Sequence, residues 1–279
     1  MNNSKPHFGK ILHPHLLFRL FKYTVYCLLA YNAYMFFQED LAASAETFGD
    51  TVTWRNVVEA YSATIDTTAW VLLLLLFELE TAVIPDDKLQ GVLKWVLSGI
   101  RGICYFFIAY AFYGYCLKYG VITDLTPFSL QDVCSLVGTE WNFVVDLDDY
   151  PPIDATACAV MQGQDLLRIA GTEIIGTREA LDSAFGLAVI DIVNAFTWLL
   201  IVVILEAEVW MQLKVVLTDR IMRIGKYIKV VLYSTLFVCA AYWGFEGSFL
   251  DFWDAFLWLV AFIFIEMNIF QWHEEIGEA

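Results

Sequence analysis

The stretch Asp66-Thr-Thr-Ala-Trp70-Val-Leu-Leu-Leu-Leu-Leu-Phe-Glu78-Leu-Glu80 determines how the rest of the chain is interpreted. Seven apolar residues separate its tryptophan from two carboxylates that stand two positions apart. Such a run is typical of a membrane-spanning helix whose tryptophan lies at the outer interface. Because charge inside a bilayer is costly, the glutamates at its inner end are candidate functional groups.

Two later stretches repeat this arrangement. They read Asn194-Ala-Phe-Thr-Trp198, seven residues and Glu206-Ala-Glu208, then Asp254-Ala-Phe-Leu-Trp258, seven residues and Glu266-Met-Asn268. A second pattern places a tyrosine four residues after a base, at Lys22 and Tyr26, Arg101 and Tyr105, and Lys229 and Tyr233. The recurrence of both patterns indicates an internal repeat.

The composition is that of a polytopic membrane protein. Of 279 residues, 59% are hydrophobic and 17% are charged, against about 45–50% and about 25% in soluble domains. A disordered chain, a collagen, a small disulfide scaffold and most soluble enzymes are therefore excluded. Six apolar stretches are long enough to cross a bilayer, and they cover 17–38, 66–84, 93–118, 187–211, 226–246 and 251–271.

The predicted fold is an all-α bundle of six transmembrane helices in three pseudo-repeated hairpins, with a small helical extracytoplasmic cap. Span six would pair with span one, so the third hairpin is circularly permuted. Because the three Trp–Glu helices run in one direction, we expect a pseudo-threefold axis along the membrane normal. The predicted segments are a cytosolic N terminus (1–16), the first span (17–38), an outer loop (39–65), a hairpin of spans two and three (66–118), the outer cap (119–186), a hairpin of spans four and five (187–246), span six (247–271) and a cytosolic tail (272–279).

The charges predict the orientation. The first 22 residues carry four bases and no acid, and 212–229 is also basic, whereas 39–66 and 118–191 are strongly acidic within a net charge of −16. By the positive-inside rule both termini are cytosolic and the acidic domain is periplasmic, in a bacterial inner membrane. No signal-peptide pattern precedes the first span, which we expect to be retained.

The long outer segment 119–186 exceeds an ordinary connection. Helical spacing predicts a short helix over 165–183 in this segment and another over 53–63 in the first outer loop. Cys134 and Cys158 fall in this segment and are expected to form a disulfide. The acidic run from Asp146 to Asp154 resembles a calcium loop only loosely, and a solvated acidic loop is the preferred interpretation.

The repeat pairs each base with a glutamate at the same height. Glu78 with Arg101, Glu206 with Lys229, and Glu266 with Lys22 are predicted interhelical ion pairs. The tyrosine one turn beyond each base would donate a hydrogen bond to the carboxylate, which assigns that role to Tyr26, Tyr105 and Tyr233.

The second glutamate of each pair lies on the opposite helix face. Glu80 and Glu208, with Asn268 as their counterpart, would then lack an assigned base. They could form a cation or proton site, extend to the cytosolic interface, or, for Glu208, pair with Arg223 or Lys226. The ion-binding candidates are Glu78, Glu80, Glu206, Glu208, Glu266 and Asn268.

The leading functional hypothesis is a transporter or channel that handles hard cations or protons through these carboxylates. The alternative is a non-transporting membrane subunit or scaffold in which the same charges form structural ion pairs. The sequence carries no catalytic, cofactor or zinc motif, so we expect no enzyme, no cofactor and no metal centre. The expected partners are the lipid bilayer, a hard cation or proton, and either a homo-oligomer or another membrane subunit; nucleic acid is not expected.

Overall fold

Long helices dominate the computed structural model, which describes residues 14–48, 52–54, 56–85, 88, 90–213 and 219–262. Helices α1 to α4 cover Pro14–Phe48, Val57–Ala60, Ser62–Glu78 and Gly91–Thr123. Helices α5 to α7 cover Ala155–Met161, Arg178–Leu213 and Asp219–Glu246, and α8 covers 249–262. A π-helical turn, Leu79–Val83, extends α3 towards Pro85, which cannot continue a helical ladder.

Three helices among the described residues are long and apolar enough to cross a membrane. They are Gly91–Thr123, Arg178–Glu208 and Arg223–Glu246, and they indicate a membrane protein. The predicted spans 17–38 and 66–84 lie in α1 and α3, which do not meet the same combination of length and hydropathy. Span 251–271 extends beyond the described residues. Six spans therefore remain a prediction.

Large side chains of the described helices pack together at the centre of the bundle. Trp70, Trp198 and Trp258 are buried together. The ring centroid of Trp70 lies 5.7 Å from that of Trp198 and 6.1 Å from that of Trp258. Phe262 packs against Trp198 at 4.4 Å. Leucine and isoleucine side chains from neighbouring helices complete this core.

The burial of the three tryptophans shows what their side chains contact. Each is only 6–7% exposed, so each ring packs against neighbouring helices rather than facing lipid headgroups. Their position at the depth of the outer interface remains a prediction.

The outer cap contains a β-sheet and is not purely helical. Strands β1 Leu125–Phe128, β2 Asn142–Phe143, β3 Leu166–Ile169 and β4 Ile174–Thr177 form a sheet of order β1-β3-β4-β2. β3 pairs antiparallel with β1 and β4, and β2 pairs parallel with β4. The all-α prediction is wrong for this part of the chain.

The error arises from the segment 165–183, which holds two short strands before α6 begins. Gly171 has a positive φ of 79° and turns the chain between β3 and β4. Short apolar runs fit helical spacing and strands equally well, and the glycine turn is the signal that separates them. Residues 53–63, by contrast, are mostly helical, with a break at Tyr61 between α2 and α3.

A disulfide between Cys134 and Cys158 confirms the predicted pairing. It ties a 3-10 turn, Val133–Leu136, to α5. The acidic run beside it is held by protein groups as well as by solvent. The Asp154 carboxylate accepts the Thr156 and Ala157 amides at the start of α5, which is an ordinary N-cap.

Candidate functional site

An inner layer of ion pairs occupies the part of the bundle where the repeat places its glutamates. Lys22 Nζ on α1 lies 2.6 Å from Glu78 Oε1 on α3, and the two side chains are only 8% and 7% exposed. The hydroxyls of Tyr23 and Tyr26 also donate to Glu78, at 3.1 and 3.4 Å. Three donors therefore converge on one buried carboxylate, which compensates for its removal from water.

Each of the two predicted hairpins is joined by one further ion pair. Arg101 on α4 pairs with Glu80, and Lys229 Nζ on α7 lies 3.1 Å from Glu208 Oε2. Both pairs are half-buried. The second glutamates of the repeat therefore hold hairpin partners together.

These contacts correct the pairing predicted from the sequence. Glu78 pairs with Lys22 instead of Arg101, and Lys229 pairs with Glu208 instead of Glu206. Equal height along the helix suggested the first glutamates as partners, but direction around the helix decides the contact. Positions two apart point to opposite faces, so Glu80 faces α4 while Glu78 faces α1.

Glu80 and Glu208, which were expected to lack a basic partner, each have one, and of the repeat's glutamates that the structure describes, Glu206 is the one without. Glu206 is exposed and accepts a 2.6 Å hydrogen bond from the Tyr105 hydroxyl, and among the described residues it forms no ion pair. Tyr26 and Tyr105 thus donate to first-position glutamates, and Tyr233 also packs against the central core. The predicted candidates Glu266 and Asn268 lie outside the described residues.

A second charged group lies at the outer end of the bundle and was not predicted as a site. Lys118 Nζ on α4 lies 2.5 Å from Asp148 Oδ1 in the cap. Asp191 is within electrostatic reach of Lys118, Asp148 and Asp251. Glu39 is within reach of Asp40 and of the same acids. We call this set the outer acidic cluster, and its members are Glu39, Asp40, Lys118, Asp148, Asp191 and Asp251.

Four helices and the cap supply the outer acidic cluster. Asp40 is 3% exposed and accepts hydrogen bonds from the amide and hydroxyl of Thr64, at 2.9 and 2.6 Å, so that it caps the start of α3 from α1. Beside it lies a cavity of about 40 Å³ whose polar lining includes Glu59 and Tyr150. The signal in the sequence was Lys118 itself, a lone base at the end of an apolar run.

Two more aspartates lie deeper than the outer acidic cluster. Asp254 accepts a 2.8 Å hydrogen bond from Asn32 Nδ2. Asp66 accepts a 3.4 Å hydrogen bond from the Tyr115 hydroxyl. Both stand four residues before a core tryptophan, and the sequence analysis treated them only as markers of the repeat.

The carboxylates do not form a recognisable metal centre. Within the part of the chain that the structure describes, no group of three or more His, Cys, Asp or Glu side chains is placed to hold a metal ion.

Known proteins provide no parallel. No protein-family model, curated protein or solved structure matches this chain. The function must therefore be argued from the arrangement of its side chains alone.

Glu39 gives the outer acidic cluster a measurable pH dependence. Burial, followed by the carboxylates of Asp251 and Asp148, raises the pKa of Glu39 from 4.5 to about 7. A carboxyl whose pKa is raised by folding contributes stability below its unfolded value and loses it as the pH rises through the folded value. We expect the free energy of unfolding to fall by on the order of 2 kcal/mol between about pH 5 and about pH 8.

Thermal unfolding of the purified protein across this pH range tests the expectation. Glu39→Gln should reduce the dependence without abolishing it, because burial also raises the pKa of Asp40 to about 6, whereas Asp165→Asn, which removes an exposed carboxylate of the cap, should leave it unchanged. A Glu39→Gln variant with the full dependence of the parent would assign the titration to other groups.

Proposed function

We propose that this chain is a multi-pass membrane protein that handles protons, as a transporter or a channel, through its buried carboxylates. The observation that carries the proposal is the outer acidic cluster, in which five carboxyl groups surround the single ammonium of Lys118. Buried like charges cannot all remain ionised without compensation. An acid excess of this kind is neutralised by protons or by cations.

Protons fit the described residues better than metal cations do. Calcium and magnesium require six or more oxygen ligands arranged around one point, and no such convergence of acidic side chains occurs in the described ranges. A proton requires only one carboxyl and one hydrogen-bond partner. We therefore infer that the proton is the ligand, with hard monovalent cations as competitors to be tested.

The proposal includes the six-helix arrangement and the internal repeat predicted from the sequence. Three tryptophans from equivalent positions meet at the bundle centre, and Glu80 and Glu208 pair with the base of the next helix in the same way. Both findings are expected of pseudo-repeated hairpins about one axis. In this proposal both termini are cytosolic, and the cap faces the other side of the membrane.

The two layers would then have different roles. The outer acidic cluster would concentrate protons at the mouth of the bundle. The inner ion pairs would hold the helices in register and oppose the passage of other ions. Glu206, which has a tyrosine partner but no base among the described residues, is the inner carboxylate most able to exchange a proton.

Proton flux into proteoliposomes, followed with a pH-sensitive dye, tests the proposal. We expect flux that Asp191→Asn combined with Asp251→Asn reduces at least about tenfold, because neutral amides cannot exchange a proton. The matched control replaces the exposed cap residues Asp165 and Asp182 with asparagine and should retain the parental rate. Parallel gradients of Na⁺, K⁺, Ca²⁺ and Mg²⁺ identify any competing cation.

The choice of variants follows from the contacts. Glu80→Gln and Glu208→Gln would each break an ion pair, so a loss of flux in those variants would not distinguish transport from misfolding. Asp191 and Asp251 form no ion pair among the described residues. Absence of proton flux in the folded parent protein would overturn the transport proposal.

The second candidate is a non-transporting membrane subunit. The observation that favours it is the engagement of Glu78, Glu80 and Glu208 by Lys22, Arg101 and Lys229, which is sufficient for a purely structural role. In that case no ion moves in proteoliposomes. The cap would then be the surface through which the subunit meets a partner.

A further inference from the structure

Two buried polar atoms on one face of α3 have no hydrogen-bond partner among the described residues. They are Ser62 Oγ and Asp66 Oδ1. Ser62 is fully buried, with 0% of its surface exposed. Buried polar atoms without a partner are rare and require an explanation, which is commonly a bound water or a proton.

The two atoms lie on the side of α3 that contacts α4 around Gly114 and Tyr115. Residues four apart share a helix face, so both side chains point towards α4. A Cβ placed on Gly114 of α4 would stand 3.0 Å from the Ser62 Cβ, and the next residue, Tyr115, donates its hydroxyl to Asp66 Oδ2. This contact excludes bulk water from both unpartnered atoms.

Two neutral donors, the Trp70 indole and the Tyr115 hydroxyl, hydrogen-bond to Asp66, but the charges around it do not stabilise a negative carboxylate. Asp254 of α8 is an acidic neighbour of Asp66, and Asp40 and Asp191 lie within electrostatic reach of Tyr115. Lys118, one turn beyond Tyr115, pairs with Asp148. In the described residues no base contacts Asp66.

We propose that Asp66 holds a proton on Oδ1 and that a single water bridges this proton to Ser62 Oγ. The two oxygens do not hydrogen-bond directly to each other, so a bridging molecule is required to satisfy both. Protonated Oδ1 donates to the water, the water donates to the Ser62 hydroxyl, and Oδ2 remains the acceptor for Tyr115. Ser62 Oγ and Asp66 Oδ1 each then have a hydrogen-bond partner, and the contact carries no net charge.

The inference rests on the proposed proton-handling function and identifies Asp66 as the carboxyl in which the proton is stored. Because the site lies behind the outer acidic cluster, a proton on Asp66 would be delivered from those carboxylates on the cap side.

Infrared spectroscopy of the purified protein, in H₂O and D₂O buffers from about pH 5 to about pH 9, tests this assignment. A protonated carboxylic acid gives a C=O stretching band above the amide I band. We expect Asp66→Asn to remove one component of that band at neutral pH, while the matched variant Asp254→Asn leaves this component in place. Ser62→Ala should move the component to higher frequency because the bridging water loses a partner.

The outcomes separate the site from the function. A neutral-pH spectrum of Asp66→Asn identical to that of the parent would overturn the protonation of Asp66. If Asp66→Asn does not fold, an unshifted component in Ser62→Ala overturns the bridged site by itself. The predicted band changes without proton flux in proteoliposomes would retain the site and reject the transport function.

Discussion

Replacement of Lys22 by methionine is expected to destabilise the protein more than replacement of Arg101 or Lys229, the bases of the two half-buried pairs. The Lys22–Glu78 pair is almost fully buried, at 8% and 7% side-chain exposure. Without the ammonium, Glu78 would remain a buried charge with only the Tyr23 and Tyr26 hydroxyls as donors. Breaking a buried ion pair from one side costs about 3–5 kcal/mol.

The thermal unfolding midpoint of the detergent-purified protein measures this effect. Lys229→Met is the matched control, because its pair with Glu208 is half-buried and should contribute about 1 kcal/mol. The double variant Lys22→Met with Glu78→Leu removes both charges and should recover most of the loss. Equal midpoints for Lys22→Met and Lys229→Met would show that burial does not set the strength of these pairs.

Gly114→Ala is expected to have the second largest effect, from the addition of a single methyl group. A Cβ at this position would lie 2.4 Å from the backbone oxygen of Val58 and 3.0 Å from the Ser62 Cβ. Because the first contact is to backbone, α4 must move away from α2 and α3. Overpacking of this kind costs about 3 kcal/mol, and it would also open the contact that shields Asp66.

Two glycines of the same helix provide controls. A Cβ on Gly102 or Gly120 meets no atom within 4 Å. Alanine at either position should be neutral or should stabilise α4 by about 0.5–1 kcal/mol, because alanine loses less backbone entropy in a helix than glycine. If the unfolding midpoint of Gly114→Ala matches those of these two variants, the close approach of the helices is not required for stability.

The apolar runs and the tryptophan–glutamate spacing could be predicted because hydropathy and periodicity are local properties. In the structure Glu78 ends α3, Glu80 lies in the π-helical turn that follows, and Glu206 and Glu208 lie in the last eight residues of α6. These patterns could not identify partners, since the choice between Glu78 and Glu80 depends on which helix lies beside each face. Helix packing, and not spacing along the chain, assigns Lys22 to Glu78.

The outer acidic cluster was missed for a related reason. Glu39, Lys118, Asp148 and Asp191 come from four separate segments and share no motif, so only the folded chain brings them together. The cap strands were missed because short runs such as 166–169 fit two periodicities. The disulfide was predictable because only two cysteines fall in the outer segment, at Cys134 and Cys158.

The junction between the cap and the bundle has a mechanical consequence. Strand β4 ends at Thr177 and α6 begins at Arg178, with no intervening linker. A twisting force on the sheet would therefore be transmitted as torque along α6, a helix of 36 residues. The same rigid rod carries Asp191 in its first half and Glu208 near its far end, so a molecule that turns the cap would turn both charged layers together.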